Sequence, residues 1–477
     1  MIRGITLRDL AAVFALVGTA GVVSGGVGCG HSGGSDAPPV AKPRPTTFYV
    51  DGGAIRDPSG RSVVMRGVNL AGTHKQKPYV SDFQPPDYAR IKNDWGMNAI
   101  RFLVSWAGLE PERGVYDQNY LAEIDKRIGW ARDAGLLVVL DMHQDLYGEG
   151  FLGGDGAPRW TCDATRYAAF KPTTPWFLGS LDPNVGACFD TLYTNSDVRS
   201  HLVEAWRQLA QRLAKYDNVL GFDPLNEPFW GTANLSTFEA ERLAPLYGEI
   251  TNAVRGVAPG WLIFAEPSAS RNLGFGSSFP KLPFEGVVYS PHAYDPSAES
   301  GMGFDPDHRQ SMLQKISDMR DEATGMDASL FIGEYGGDPG QPGIAAYMTA
   351  AYDGAGAVGA STTYWAYDKG DQGYGLLHAD GTEKKELADV LTRPYPQRVA
   401  GKLSSYGFDP NMQTATVQWE PDPTVNAPTE IAVPVRVFPR GVIVDCGGCM
   451  VDDSEPGLVR LRTSPPGNPV TVTIRSR

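Results

Sequence analysis

A chain of 477 residues with 42% hydrophobic and 20% charged residues has room for one large domain and a smaller one, and its composition is that of an ordinary globular protein. The formal net charge of −13 repels phosphate and argues against nucleic acid as a partner, while a neutral sugar or lipid remains compatible with it. No H-E-x-x-H, Walker-type loop or dinucleotide fingerprint occurs, and no G-x-S-x-G elbow sits at a strand-to-helix turn, so no cofactor and no metal are expected.

The first segment reads as a targeting signal. Arg3 and Arg8 flank a short n-region, and Ala11–Val27 follows, small, apolar and uncharged. That run is short for a membrane span and lacks a stop-transfer flank, as a secretory signal does. It leads into Cys29, where "GVGC" resembles a bacterial lipobox, with Gly26 standing where an aliphatic residue is usual. Two readings stay open: lipidation at Cys29 after cleavage, or a plain signal in which Cys29 is incidental. Either one exports the protein, secreted or anchored at the cell surface as a lipoprotein. Residues 30–45, "GHSGGSDAPPVAKPRP", are rich in Gly, Ser and Pro and suit a tether. Residues 1–44 are assigned to signal and tether.

From 45 to 397, apolar β-prone runs alternate with helical patterns. The runs are Val63–Leu70, Asn98–Trp106, Leu136–His143, Val219–Glu227, Trp261–Glu266, Val287–His292, Ser329–Glu334 and Thr362–Trp365. Most are near-continuously apolar, as strands buried on both faces are. Within Asp197–Lys215, Leu202, Val203, Trp206, Leu209 and Leu213 recur at helical spacing. Eight such strands with intervening helices predict an α/β fold, a (β/α)8 TIM barrel. The connection from about 144 to 197 is rich in Gly, Pro and aromatics and is expected to be loop-like. It carries Cys162 and Cys188. With Cys446 and Cys449 these make an even set, expected to form two disulfides whose pairing spacing alone leaves open. From 398 to 477, short alternating runs separated by Pro and Gly predict a small all-β sandwich.

In a barrel of this kind the working residues lie at the C-terminal strand ends. There the sequence places Arg101, His143, Asp145, Asn226, Glu227, His292, Tyr294, Glu334 and Trp365. Glu227 and Glu334 close the fourth and seventh runs. Two carboxyl groups about 5–5.5 Å apart are what a retaining glycosidase needs: one protonates the leaving oxygen, the other attacks the anomeric carbon. Asn226 suits the sugar 2-hydroxyl, Trp365 a flat stacking platform, Tyr294 a hydrogen bond to Glu334, and Arg101 a charge that lowers the pKa of Glu334. Each residue taken singly has a duller reading: a solvated turn for Asn226-Glu227, an interior histidine for His143, core packing for Trp365, a structural ion pair for Arg101. Their coincidence on six strand ends favours one site.

At these residues the chain resembles the retaining glycoside hydrolases of family 5. The resemblance implies Glu227 as acid/base and Glu334 as nucleophile, with Arg101, His143, Asn226, His292, Tyr294 and Trp365 completing the family's set. "DMHQDLYGEGFLGGDGAPRW", "DPLNEPFWG" and "PYPQ" leading into a β domain look more narrowly like the endoglycoceramidases, which cut the bond between glycan and ceramide. That likeness implies sugar contacts for His143 and Asp145, with Lys75 and Lys77 as further candidates. Loop residues Phe177, Phe229 and Trp230, with Phe151, Phe275 and Phe279 nearby, are candidates to line a lipid channel. The expected protein is thus a monomer acting on a glycolipid or oligosaccharide, at a membrane surface. Two alternatives remain: an endo-β-glucanase or mannanase of the same family, and a non-catalytic glycan- or lipid-binding barrel.

If Cys29 carries lipid, the protein made in its own host should fractionate with membranes, and Cys29→Ser should release it or leave it unprocessed. Equal solubility of the two in membrane fractionation leaves the plain secretory signal.

Overall fold

The computed structural model describes residues 44–463 and 469–477; the expected signal, Cys29 and the tether up to residue 43 lie outside the described residues. Eight parallel strands close into a barrel in chain order: Arg66–Leu70, Ala99–Ser105, Leu137–His143, Val219–Asp223, Leu262–Ala265, Val287–Tyr289, Ser329–Ile332 and Ser361–Tyr367. This is the expected TIM barrel, and each strand overlaps its apolar run. The fourth and sixth strands stop earlier than their runs, just before Pro224 and Ser290-Pro291, because proline has no N–H for the ladder.

The period of two along each strand stacks the barrel interior in layers. Ala99, Val139 and Phe264 belong to an apolar plug with Leu137, Leu220, Leu262, Val288 and Phe331. Two residues further along their strands stand Arg101, Asp141 and Glu266, all buried. Ile55 and Val63 complete the plug from the N-terminal segment. That segment opens with a hairpin pairing Tyr49–Asp51 with Ala54–Arg56, and its turn places Gly52 and Gly53 at φ 58° and 73°. Positive φ at both central residues is what a tight hairpin turn asks for and glycine supplies without strain.

Outside the barrel, Ser196–Leu213 forms the expected amphipathic helix, with Asn195 as N-cap and Leu202, Trp206, Leu209 and Leu213 buried. Trp206 Nε1 donates to Pro224 O at 3.0 Å and ties this helix to the end of the fourth strand. The connection before it is not loop-like, contrary to expectation. It holds helices Ala164–Ala169 and Pro183–Thr194, and 3-10 turns at Arg159–Thr161 and Trp176–Leu181. Asp163 and Asp182 cap the two helices, and Pro183 sits in the first turn where its missing N–H costs nothing. The apolar face Val185, Cys188, Phe189 and Leu192 spans too few turns to stand out among the glycines and prolines around it.

The C-terminal region is a sandwich of two antiparallel sheets. One orders Tyr49–Asp51, Ala54–Arg56, Ser62–Val63, Tyr395–Val399, Thr429–Ala432, Leu458–Thr463 and Cys449–Asp452; the other orders Gly401–Asp409, Thr414–Pro421, Val470–Ser476 and Val442–Asp445. Tyr395, Val399, Ile431 and Leu461 from the first face Tyr406, Val417, Trp419 and Ile474 from the second in one core. The first sheet therefore takes strands from both ends of the chain, and Tyr395–Val399 runs across residue 397. Among the described residues no helix is long and apolar enough to cross a membrane.

Cys162 is disulfide-bonded to Cys188, and Cys446 to Cys449. The first bond closes a separation of 26 residues. Replacing both Cys162 and Cys188 by Ser should destabilise the fold by roughly 3–4 kcal/mol through the freed chain entropy; urea denaturation of the double variant checks this.

Candidate active site

One guanidinium organises the upper interior of the barrel. Arg101, fully buried, reaches Asp141 at 2.9 Å, Asp223 at 3.0 Å, Glu266 at 2.7 Å and Glu334 at 2.7 Å. It also donates to Asn69 Oδ1 at 3.1 Å and Asn226 Oδ1 at 2.9 Å. The partners come from the ends of the first, third, fourth, fifth and seventh strands, and a planar fork of five N–H donors is suited to serve them together.

Too little positive charge is present to ionise every carboxyl in this low-dielectric space. Burial pushes Asp141 up to about 7, with the Arg101 charge offsetting only part of it, and Glu334 up to about 7, with the charges of His292 and Arg101 offsetting only part of it. The expected lowering of Glu334 by Arg101 is therefore reversed in sum. Burial and the neighbouring Glu266 hold Asp223 well above the carboxylate range. Glu266 goes the other way, down to about 2, because His292 and Arg101 outweigh its burial. Against its own burial, His292 is held well above the usual imidazole value by Glu266 and Glu334, and so is protonated at neutral pH.

The two glutamates sit differently in this net. Glu227 occupies the left-handed region at φ 42°, its backbone N–H bonded to Glu266 Oε2 at 2.8 Å. Its Oε1 accepts from Asn272 Nδ2 at 2.6 Å and from His292 Nδ1 at 2.8 Å, while Oε2 has no hydrogen bond among the described residues. Gln144 steadies the same turn, donating to the carbonyls of Asn226 at 2.8 Å and Glu227 at 3.1 Å. Glu334 is more enclosed: Oε1 meets Arg101 and Oε2 accepts from Tyr294 Oη at 2.8 Å. Side-chain exposure is 26% for Glu227 against 5% for Glu334. Carboxylate oxygens of the two, with a ring nitrogen of His292, lie within 4.8 Å of one another.

A flat wall stands beside them. The rings of Trp365 and His143 stack at 5.2 Å and 12°, and His143 Nδ1 bonds Asp141 at 2.8 Å. Burial and the Lys75 charge hold the ring of His143 far below its usual pKa, hence neutral. Lys75 pairs with Asp145, lies 3.8 Å from Asp155, and sits 4.9 Å from the Trp365 ring centroid. Lys77 pairs with Glu149 at 2.9 Å instead.

Arg101, Asn226, Glu227, His292, Tyr294 and Glu334 thus form one network, with His143, Asp145 and Trp365 joined to it through Asp141 and Lys75. The candidate channel residues behave less uniformly. Phe229 is buried between Phe189 at 6.0 Å and Trp230 at 3.9 Å, and is core rather than lining. Phe151 likewise packs into Tyr167 and Phe170, and Phe279 lies against Tyr247. Trp230 and Phe177 are half-buried. The exposed apolar side chains of these loops are Leu152, Trp176, Leu181, Leu273 and Phe275. Amphipathic surface loops bury one large side chain and expose the next, which a count of aromatics does not reveal.

Five contributors were missed by sequence reasoning: Asn69, Asp223, Glu266, Asn272 and Glu299. Glu266 closes the fifth apolar run and was legible by the rule that found Glu227. Glu299 lies two residues beyond Asp295-Pro296-Ser297 on a short helix, where burial and the charge of Glu227 push it up to about 8. Among the described residues, three groups of donors converge closely enough to hold a cation: Asp141, Asp223 and Glu266; Glu227, His292 and Glu334; His143, Asp145 and Asp155. In the first and third a protein cation already takes that place, Arg101 and Lys75 respectively, and in the second the protonated ring of His292 has no lone pair to offer.

Comparison with known proteins fits this geometry. The family profile described as cellulase (glycosyl hydrolase family 5) matches residues 57–371, and the glycoside hydrolase family 5 C-terminal domain matches 393–474. The chain is 28% identical over 456 residues to endoglycoceramidase I of Rhodococcus hoagii (strain 103S), spanning 90% of this chain and 88% of that one. The structure of endo-glycoceramidase II from Rhodococcus sp. in complex with ganglioside GM3 matches with a TM-score of 0.81 at 32% identity, over 88% of this chain and 99% of that one. The lactosyl-enzyme intermediate of the same enzyme matches with a TM-score of 0.79 at 31% identity, over 91% and 100%.

The raised pKa of Glu334 has a consequence for stability. Its folded value of about 7 exceeds the usual 4.5, so between those pH values the folded chain holds a proton that the unfolded chain has lost. Stability therefore falls as pH rises through this window. Glu334→Gln removes that ionisable group, so in denaturant melts its stability relative to the wild type should improve as pH rises from 4 to 8.

Proposed function

The chain belongs to glycosyl hydrolase family 5, and on that footing we propose that it is a retaining β-glycosidase releasing the glycan from ceramide in glycosphingolipids. The observation that carries the chemistry is the pair Glu227 and Glu334, brought from the fourth and seventh strands to within 4.8 Å. A separation of this size leaves no room for a water between carboxylate and sugar, and so favours direct attack over inversion. The glycolipid substrate is supported by the similarity to the endoglycoceramidases and by apolar side chains exposed on the loops around the cup.

Glu334 is the nucleophile. Tyr294 and Arg101 each hold one of its oxygens, which orients the carboxylate while leaving a lone pair toward the anomeric carbon. Glu227 is the acid/base: its Oε2 protonates the leaving oxygen of the ceramide as the glycosidic bond breaks. The resulting glycosyl ester on Glu334 is opened by water, from which Glu227 takes the proton back. Asn226 bonds the sugar 2-hydroxyl, a contact that strengthens as the oxocarbenium-like transition state forms. Trp365 with the neutral His143 supplies the wall against which a sugar ring stacks, and Asp145 and Lys75 meet hydroxyls further out.

The same reading places the enzyme outside the cell, secreted or held at the surface by lipid on Cys29. Its support is the charged n-region, the apolar run Ala11–Val27 and the lipobox-like "GVGC".

Purified protein should release free glycan and ceramide from at least one of glucosyl-, galactosyl- and lactosylceramide in detergent. Glu334→Gln should lower that turnover by at least about 10⁴-fold, since no covalent intermediate can form. Product chromatography checks both. Efficient hydrolysis of soluble β-glucan or mannan without any ceramide release gives the polysaccharide alternative instead, and an inverted product excludes the retaining pair.

A further inference from the structure

The carboxylate of Glu227 is not steadied by its own strand end alone. Of the two donors on Oε1, His292 belongs to the barrel and is shared with the nucleophile, its Nδ1 lying 3.5 Å from Glu334 Oε2. The other, Asn272, arrives from the segment that follows the fifth strand.

That segment is cinched at both ends by one side chain. The buried carboxylate of Glu239 accepts from Ser268 N at 2.9 Å, from Ser277 Oγ at 3.1 Å, from Ser278 N at 2.5 Å and from Ser278 Oγ at 3.1 Å. A second carboxylate, Glu322, accepts from Arg271 Nε at 3.0 Å and Ser277 N at 3.2 Å. Between these ties the chain makes a 3-10 turn at Ala269–Arg271 and presents Asn272 inward, with Leu273 and Phe275 exposed beside it. Two carboxylates spent on fixing one short hoop is more anchoring than a surface loop requires. From this hoop Asn272 donates to the side chain of Glu227.

We propose that Asn272 is a positioning residue for the acid/base, through which the hoop 268–279 on the leaving-group side sets the strength of proton donation. This rests on Glu227 acting as the acid. With Oε1 occupied by two donors, the proton stays on Oε2, the oxygen free to face the scissile bond. As the anomeric carbon–oxygen bond breaks, its electron pair leaves with the aglycone oxygen, the Oε2 proton passes to that oxygen, and a Glu334 oxygen bonds to the anomeric carbon. Glu227 becomes a carboxylate in that step. A donor on Oε1 is then charge-assisted and stronger than before, so the Asn272 contact is made best in the transition state.

A leaving group that needs protonation should feel the loss of this contact, and one that does not should not. In Asn272→Ala, kcat/KM should fall about 10- to 100-fold for the ceramide glycoside and for a phenyl glycoside, and less than about 3-fold for the dinitrophenyl glycoside of the same sugar. Asn272→Leu, similar in volume and lacking both donor and charge, should show the same graded loss. Both should keep the wild-type Tm, because Asn272 is half-exposed. Equal losses across the leaving-group series, or none, overturn the proposal while leaving the glycosidase reading intact. A wild type inactive on every one of these β-glycosides overturns both.

Discussion

A single buried guanidinium holds this barrel's interior together. Arg101 stands two residues above the apolar plug on the second strand, and its five donors face four carboxylates and two amides from five other strand ends. Charges buried this deeply are tolerable only when paired, and breaking such a set by removing one partner costs far more than a surface ion pair. The strand ends are therefore locked to one another by the same contacts that aim the reactive carboxyl groups. Stability and chemistry cannot be separated here: the residue that makes the polar layer foldable is also the one that touches Glu334.

The scarcity of positive charge in that layer divides the labour between acids of the same type. Asp223 is pushed up and Glu266 down, although they share Arg101, because His292, 3.2 Å from Glu266 Oε1, favours the ionised form of Glu266. His292 then carries the charge state of Glu266 upward to both glutamates of the site. Glu334 is enclosed and pinned at both oxygens, as a nucleophile that must attack along one line should be. Glu227 keeps one oxygen unengaged, as a proton carrier should.

Parts of the chain outside the barrel reach the same residues from the other side. The connection closed by Cys162–Cys188 packs Phe189 against Phe229, and Asp190 accepts from Thr232 N at 3.0 Å and Thr232 Oγ1 at 2.6 Å. A Cβ on Gly231 would come within 2.3 Å of Asp190 Oδ1, so the turn after Glu227 fits against this connection without slack. At the opposite end, the N-terminal strands both close the plug and extend the sheet of the C-terminal sandwich. The barrel is thus sealed below by a segment that also fixes the second domain.

The sequence by itself determined the architecture and most of the site. Strands buried on both faces must be apolar along their length, so eight runs were visible, and a polar residue that ends such a run has few reasons to be there. That logic picked out His143, Asn226, Glu227, His292 and Glu334, which the fold brings close together, and with consistent use would have picked out Glu266. Tertiary structure decided what depends on distance rather than pattern. Asn272 follows a 3-10 turn and Glu299 ends a one-turn helix, segments too short to show periodicity, and only the folded chain brings Asn272 onto Glu227 and Glu299 under its charge. Whether Phe229 lined a channel or filled the core turned on Phe189, 40 residues away in sequence. The protonation of Glu334 was likewise beyond reach of the sequence, because it is set by the sum of burial and every charge around Arg101, and that sum exists only once the strands have closed.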